Sequence, residues 1–147
     1  MTQPERTKEI HEITLELVKN EYAISRLNAD EAIPAWVDGD GFVTITRSPF
    51  ELSIVCLASR VPSGIKTDAG WCCIRFVGPF AFGATGIVLS VVRPLSEGGL
   101  GVFVVSTFDG DHLLIKKKRS AESIVAADGG GAYFYSGLKR DRPIDHN

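Results

Sequence analysis

Apolar and polar residues alternate along much of the chain, a pattern that is typical of short β-strands. The clearest stretch runs from Gly101 to Ile115, where two β-branched or aromatic runs flank Asp109-Gly110. An Asp-Gly pair favours a two-residue type I′ turn, because both central positions need a positive φ. The stretch therefore predicts a β-hairpin.

Further strands are predicted wherever such a run recurs between turn-forming residues. The tripeptide Lys19-Asn20-Glu21 interrupts the first alternation and separates two strands. The stretch from Arg60 to Gly70, which contains Pro62, is the best candidate for a linker or a short crossing segment. The predicted strands cover residues 13–17, 22–27, 42–46, 52–57, 71–77 and 132–135.

One segment has a clear helical period. Gly98-Gly99 should end this helix, and Pro94 should loosen its last turn. A second, shorter helix is predicted over 120–127, before a triplet of glycines. The apolar stripe of the first helix consists of Ala84, Ile87, Val88, Val91, Val92 and Leu95.

The hairpin has a weaker copy about sixty positions earlier. An offset of 60 places Gly41 on Gly101 and Glu51 on Asp111, and an offset of 49 places Tyr22 on Trp71. The difference of 11 predicts that the first unit lacks about three helical turns. Chance similarity between two amphipathic hairpins is the alternative.

The second unit has the order β-α-β-β-α-β, which is the ferredoxin-like arrangement. We therefore expect an α+β fold, with two such units side by side, the first abbreviated, in an antiparallel sheet with helices on one face. The predicted organisation is a polar segment at 1–12, a first unit at 13–62, a linker or crossing segment at 63–70, a second unit at 71–135 and a polar tail at 136–147.

Composition and charge narrow the range of possible functions. The net charge of −2 gives no electrostatic footprint for nucleic acid or an anionic membrane. Three cysteines, including the neighbours Cys72 and Cys73, favour a reducing compartment, and the sequence contains no apolar run of membrane-spanning length, so a cytoplasmic protein is expected. The scattered histidines have no metal-ligand spacing, and we predict no cofactor, no metal and no catalytic residues.

Several motifs resemble those of a known family. The stretch from Val105 to Ile115 resembles the "ISTxxxDxxLV" signature of small tandem ACT-domain proteins, and Glu51 to Cys56 resembles their "DELSIV" strand. The segment from Gly70 to Val88 resembles their "GWxxxxVxGP…xxTGI" pattern. The family is similar to the ACT pairs of aspartokinase and of the cytosolic arginine sensors. The resemblance implies a regulatory, non-catalytic module that binds an amino acid where two ACT units meet.

A free amino acid needs N–H donors for its carboxylate, a carboxylate for its ammonium and a shaped wall for its side chain. Alignment with the arginine sensors implies that the hairpin turn, the Ser-aliphatic pair of the first unit and the loop before the helix line the ligand. The sensors have an acid at the position of Ala84, which leaves the ligand open. The predicted ligand residues are Asp109, Asp111, Thr107, Phe108, Ser53, Ile54, Ala81, Phe82, Gly83, Thr85 and Gly86.

Other functions share this topology. A structural module that dimerises through sheet edges or helices and binds no ligand is one alternative. An RNA-binding ferredoxin-like domain needs exposed aromatic residues and a basic face, and the charge of −2 argues against it. An acylphosphatase-like enzyme needs an Arg in the loop after its first strand, and 78–83 has none. The predicted partners are therefore an amino acid or similar small ligand and a second copy of the chain in a homodimer, with no nucleic acid and no membrane.

Overall fold

Two long strands run through the centre of one antiparallel sheet. The computed structural model describes residues 12–77, 86–116, 126–127 and 132–136. All register pairs between described strands are antiparallel, and the sheet order is β2-β3-β1-β4-β6-β5, with β8 pairing β1 and β7. The strands are β1 Glu12–Leu27, β2 Thr44–Arg47, β3 Leu52–Leu57, β4 Lys66–Phe76, β5 Val102–Ser106, β6 Asp111–Ile115, β7 Ala126–Ala127 and β8 Ala132–Ser136, and the helix is α1 Ile87–Glu97.

The central strands join two halves of the sheet. The first half consists of the last part of β1 with β2 and β3, and the second half consists of the last part of β4 with β5 and β6. The first part of β1 pairs with β8 and its last part pairs with β3, while β4 lies along both parts. The α+β prediction with an antiparallel sheet is confirmed. Two details differ from the prediction: the strands predicted at 13–17 and 22–27 are one strand, and residues 66–70, which were predicted to belong to a linker or crossing segment, form the start of β4. The tripeptide at 19–21 interrupts the register with β4 without ending β1.

The predicted hairpin is present, but its turn differs from the prediction. Ser106 lies opposite Asp111, so a four-residue loop joins β5 to β6. Thr107 donates its backbone N–H to the Gly110 carbonyl at 2.7 Å and its hydroxyl to the same oxygen at 2.9 Å. Neither Asp109 nor Gly110 has the positive φ that a type I′ turn requires. The threonine side chain therefore stabilises a wider loop, which the Asp-Gly pattern did not indicate.

The first hairpin is built in the same way. Arg47 lies opposite Leu52, and Ser48 donates its backbone N–H to the Glu51 carbonyl at 2.9 Å. The pair Arg47–Leu52 thus corresponds to Ser106–Asp111, which is an offset of 59 and not 60. Because a slip of one residue moves each side chain to the other face, Asp111 corresponds to the buried Leu52 and not to Glu51.

The neighbouring strands follow the same correspondence. Arg26 pairs with Ser53 in the first half, and Arg75 pairs with His112 in the second, which preserves the offsets of 49 and 59. Three strands in each half therefore share one register. The connection between the first and second of these strands is ten residues shorter in the first half, close to the predicted difference of 11.

Helix α1 lies in the longer of these two connections, between β4 and β5. It begins at Ile87, after Gly86 with φ +86°, so the predicted start at Ala84 lies outside the described residues. At its end, Gly99 has φ +78° and Leu100 donates to the Leu95 carbonyl at 3.0 Å, which is a Schellman motif. Pro94 lies inside the helix, which continues for three more residues. Of the second predicted helix, Ala126–Ala127 form β7 and the remainder lies outside the described residues.

Both faces of the sheet are covered. On one face, α1 covers the second half with Val91 and Leu95, and the segment around Val37 covers the first half. Alternate strand residues point to the opposite face and form a third cluster, centred on the paired Tyr22 and Trp71. The described helix is too short to cross a membrane.

A short segment links the halves on that opposite face. Phe42 stacks on His112 with ring centroids 4.0 Å apart, and its backbone N–H donates to Tyr22 Oη at 2.9 Å. Gly41 approaches this bond closely, since a Cβ there would lie 2.7 Å from Tyr22 Oη. Arg60 fixes the preceding turn by donating to the carbonyls of Val37 and Asp40.

Candidate functional site

The predicted ligand residues of the second hairpin lie together at its tip. Ser106 Oγ donates to Asp111 Oδ1 at 2.6 Å, so this carboxylate already has a partner across the strands. Phe108 is 80% exposed, and Asp109 is exposed as well. The Thr107 hydroxyl is used within the loop. These contacts build the hairpin, and the loop forms no enclosed wall around a ligand.

The predicted residues of the first hairpin lie at the other end of the sheet. His112, the neighbour of Asp111, pairs with Arg75, and Arg75 pairs with Glu16 of β1. Ser53 pairs with Arg26, near the other end of β1. At about 3.3 Å per residue, ten residues of β1 place the two groups roughly 30 Å apart. Ile54 is fully buried in the core and has no surface for a ligand. The two predicted halves of the site therefore do not meet within one chain.

The loop before the helix completes the predicted set. Ala81, Phe82, Gly83 and Thr85 lie outside the described residues. Gly86 is exposed, and its carbonyl accepts the first helical hydrogen bond, from Ser90, at 2.9 Å. Gly110 packs against the Phe76 carbonyl, so the hairpin tip lies beside the end of β4 that enters this loop. Asp111 thus lies near the end of β4, and the ligand roles of Asp111 and of the loop residues stay a prediction.

A cavity of about 560 Å³ lies at the junction of the two halves. It sits where both central strands depart from regular geometry: Asn20 has φ +77° and Gly70 has φ +87°. The register of β1 with β4 shifts between Val18 and Tyr22. Its volume falls in the range of small-molecule sites. The described lining residues are Leu17, Val18, Lys19, Asn20, Glu21, Gly70, Trp71 and Cys72.

The lining combines apolar and charged side chains with one face of a buried tryptophan. Trp71 is only 8% exposed, and its Nε1–H is buried without a hydrogen-bond partner among the described residues. A buried donor left unpaired costs on the order of 1–3 kcal/mol. Leu17, Val18 and Cys72 supply apolar surface, and Lys19 and Glu21 place opposite charges at the exposed edge.

An ion pair fixes the outer side of the tryptophan. Lys116 Nζ lies 5.3 Å from the Trp71 ring centroid, a cation–π distance. The same ammonium pairs with Asp68 and donates to the Ala69 carbonyl. A Cβ at Gly70 would lie at an ordinary contact distance of 3.8 Å from Lys116 Cε, so the glycine is needed here for its φ of +87° and not for space. The indole is therefore held in place from the side of β6.

Burial shifts the pKa of several titratable groups among the described residues. Burial raises the pKa of the Cys73 thiol to about 12, which keeps it protonated and unreactive. Burial also raises the pKa of Tyr22, whose oxygen accepts the bond from Phe42. Within the described ranges, no three His, Cys, Asp or Glu side chains are grouped to hold a metal ion.

Sequence reasoning missed the junction cavity, although two signals pointed to it. The polar tripeptide at 19–21 interrupts an apolar alternation, and Gly70 precedes a large aromatic residue inside a strand. An isolated glycine in a strand indicates a bulge or a close approach. Treating both as boundaries between strands hid the fact that both adjoin the Tyr22–Trp71 pair of β1 and β4.

The fold is that of a small α+β module with a cavity of about 560 Å³ where its halves join. A family model described as an ACT domain matches residues 66–126, and a second model, described as an N-terminal domain, matches residues 20–64. The chain belongs to the ACT-domain family. ACT domains are regulatory and generally bind small molecules such as amino acids.

Several solved structures are similar to the chain. The chain is similar to a protein from Agrobacterium tumefaciens, with 57% identity, a TM-score of 0.72 and coverage of 77% of this chain and 84% of that one. A Vibrio cholerae protein of unknown function, described as a possible transport protein, has 19% identity and a TM-score of 0.61, over 76% and 83% of the chains. An aspartate kinase from Clostridium acetobutylicum shares the fold at 12% identity and a TM-score of 0.52, over 74% of this chain and 32% of the enzyme. No curated protein matches the chain.

Proposed function

We propose that this protein is a non-catalytic sensor module that binds a free amino acid, or a similar small molecule, in the junction cavity. The observation that carries the proposal is the cavity itself, which is lined by residues of both central strands where the two halves join. A ligand there contacts β1 and β4 at once and stabilises their relative arrangement. Ligand binding would thereby change the stability of the whole sheet, which is the property a regulatory module needs.

The buried polar chemistry favours binding over catalysis. The described part of the chain holds no grouped metal ligands, and the buried Cys73 has a raised pKa. The described lining offers charge, hydrogen-bond donors and an apolar wall, but no nucleophile next to a base.

Under this proposal, the hairpin-tip residues and Ser53 can contact the same ligand only in a homodimer. Asp111 and Ser53 lie roughly 30 Å apart along β1 within one chain, given about 3.3 Å per residue. One ligand could touch both residues only if two copies placed opposite ends of their sheets together. The tandem arrangement of ACT units and the homodimer are parts of the proposal.

The test is a thermal-shift and calorimetric screen of the full chain against the twenty amino acids. We expect one or a few to raise the melting temperature, with binding lost in Gly70→Asn, which adds a side chain at the cavity wall and is a residue type that tolerates the positive φ of this position. Asp111→Ala should leave the affinity unchanged for cavity binding and weaken it for a hairpin-tip site. Light scattering with and without ligand reports the oligomeric state. Absence of binding by all twenty would contradict the proposal and favour a structural module.

A further inference from the structure

Phe42 and His112 form a contact between the two halves that the proposed function does not use. Phe42 belongs to the connection between β1 and β2 in the first half, and His112 belongs to β6 in the second half. The two rings stack with their centroids 4.0 Å apart and 15° between their planes. We propose that this pair is a pH-sensitive latch, in which protonation of His112 releases Phe42 and loosens the contact between the halves.

The segment around Phe42 is fixed on both sides of this residue. Before it, Arg60 donates to two carbonyls of the preceding turn. After it, Val43 packs in the first-half core. Phe42 itself is held by its stack on His112 and by the hydrogen bond from its N–H to Tyr22 Oη. These contacts can break while the residues on both sides keep theirs, so release requires no unfolding of either half.

His112 meets Phe42 with a buried ring nitrogen. Its Nδ1 has almost no accessible surface and no hydrogen-bond partner among the described residues, and Val105 of β5, which lies opposite, has an apolar side chain. A neutral imidazole carries a proton on one nitrogen, whereas an imidazolium carries one on each. Protonation in the latched position therefore creates a charged N–H donor that is buried without an acceptor, which disfavours this position.

Two charged side chains lie next to His112 and act on it in opposite directions. Arg75 is its partner on β4 and opposes a second positive charge, although Glu16 of β1 neutralises this guanidinium in part, at 3.0 Å. Asp111 precedes His112 on β6 and favours a positive charge, but Ser106 already donates to its carboxylate at 2.6 Å. Burial is the largest influence on the pKa of His112 and lowers it, Arg75 lowers it further, and Asp111 raises it. The neutral imidazole is therefore the form that latches.

Further titratable groups near the latch lie on the central strands, on the segment before β2 and on the turn after β3. Tyr22 and Cys73 have a pKa that burial raises, so both are neutral at pH 7. Arg60 adds a positive charge on the side of Tyr22. The carboxylates of Asp38 and Asp40 are exposed. Solvent screens these two carboxylates, so they offset little of the cost of a buried imidazolium.

Cation–π attraction is the effect that would keep a protonated latch closed. A cation over the face of an aromatic ring is attracted to it, and Phe42 offers such a face to His112. This attraction gives no acceptor to the buried Nδ1–H. Release and retention therefore predict opposite signs for the pH dependence of the Phe42 contact.

Hydrogen exchange of the Phe42 amide measures the latch directly, because this N–H is bonded to Tyr22 Oη. The experiment uses the ¹⁵N-labelled full chain without ligand between pH 7.5 and 5, so its result does not depend on the amino-acid screen. We expect the protection factor of Phe42 to fall as the pH drops, by up to about tenfold per pH unit, which is the limit for one proton. It should be insensitive to low urea, because local opening exposes little surface, whereas that of Ile54 in the doubly paired β3 should follow global unfolding.

His112→Phe is the main variant, because it keeps an aromatic ring for the stack and removes the titrating group. The protection factor of its Phe42 amide should stay the same across the pH range. The other two histidines of the chain provide the matched control, since the double variant His11→Asn/His146→Asn should retain the wild-type fall. A second measurement needs no variant: in the wild type, the NMR signals of the His112 ring and of the Phe42 ring should change with one midpoint.

Three results would overturn the latch. A Phe42 protection factor that rises or stays constant on acidification would show that the charged ring remains stacked. Equal urea sensitivity of the Phe42 and Ile54 amides would show that the contact breaks only when the protein unfolds. If His112→Phe does not fold, the wild-type titration decides: different midpoints for the two rings would overturn the assignment, and a common midpoint would support it.

Discussion

The two halves of the sheet share one register but differ in what covers them. Three strands in each half correspond residue by residue at offsets of 49 and 59. In the second half, α1 provides the cover; in the first, the ten-residue-shorter connection leaves an irregular segment that packs Val37 and Phe42 on opposite faces. The strand register is thus independent of which segment packs on the sheet, because backbone pairing and the alternation of buried and exposed residues define it.

The largest expected effect tests whether the halves fold as one unit. Leu95→Ala should destabilise the protein by about 2–5 kcal/mol, and Val37→Ala by about 2 kcal/mol, because each removes a buried side chain. Since β1 and β4 run through both halves, both variants should lower a single cooperative transition in urea, followed by far-UV circular dichroism and tryptophan emission. Two separate transitions, each sensitive to one variant, would show that the halves are independent.

The second prediction compares two glycines that the simple sequence alignment treats as equivalent. Gly41 has φ +85° and would place a Cβ 2.7 Å from Tyr22 Oη, whereas Gly101 would place one 3.8 Å from Trp71 and has no positive φ. Gly41→Ala should cost about 2–4 kcal/mol from backbone strain and the lost Tyr22–Phe42 bond, and Gly101→Ala less than about 0.5 kcal/mol. Urea denaturation measures both. Similar losses at the two positions would contradict the role of the Phe42 segment.

The third prediction compares two corresponding positions, of which only one carries a side chain that titrates near neutral pH. His112 in the second half corresponds to Ser53 in the first. Burial lowers the pKa of His112, Arg75 lowers it further, and Asp111 acts in the opposite direction. The unfolded chain therefore binds a proton, near the ordinary value of about 6.5, before the folded chain does.

Stability should accordingly fall as the pH drops below that value, and the Phe42–His112 stack should weaken with it. The measurement is the urea midpoint of the wild type between pH 7.5 and 5, with His112→Asn as the control. The difference between wild type and variant should change across this range. A constant difference would show that His112 does not contribute to the pH dependence.

The sequence predicted the strand pattern because alternation is local, and it predicted the α+β class and the family from short motifs. The two hairpins were aligned with an error of one residue. The correct alignment follows from the loop hydrogen bonds of Ser48 and Thr107, which the sequence does not show. The position of Ser53 relative to Asp111 depends on the unbroken path of β1, which the tripeptide at 19–21 concealed. The junction cavity depends on two strand irregularities meeting, and no local pattern contains that information.

The smallest expected effect concerns the corresponding arginines Arg26 and Arg75. Arg75 bonds Glu16 of the adjacent central strand at 3.0 Å, while Arg26 lies 3.6 Å from Glu51 in the loop of its own half. All four side chains are 41–47% exposed, so solvent screens both pairs and each should contribute about 0.2–1 kcal/mol at most. Double-mutant cycles with glutamine replacements should give the larger coupling for Arg75–Glu16, because only that pair has a direct hydrogen bond that joins β1 to β4. Both couplings should nearly vanish in 1 M NaCl. A stronger Arg26–Glu51 coupling would mean that the irregular half relies on its loop contacts more than the paired central strands rely on theirs.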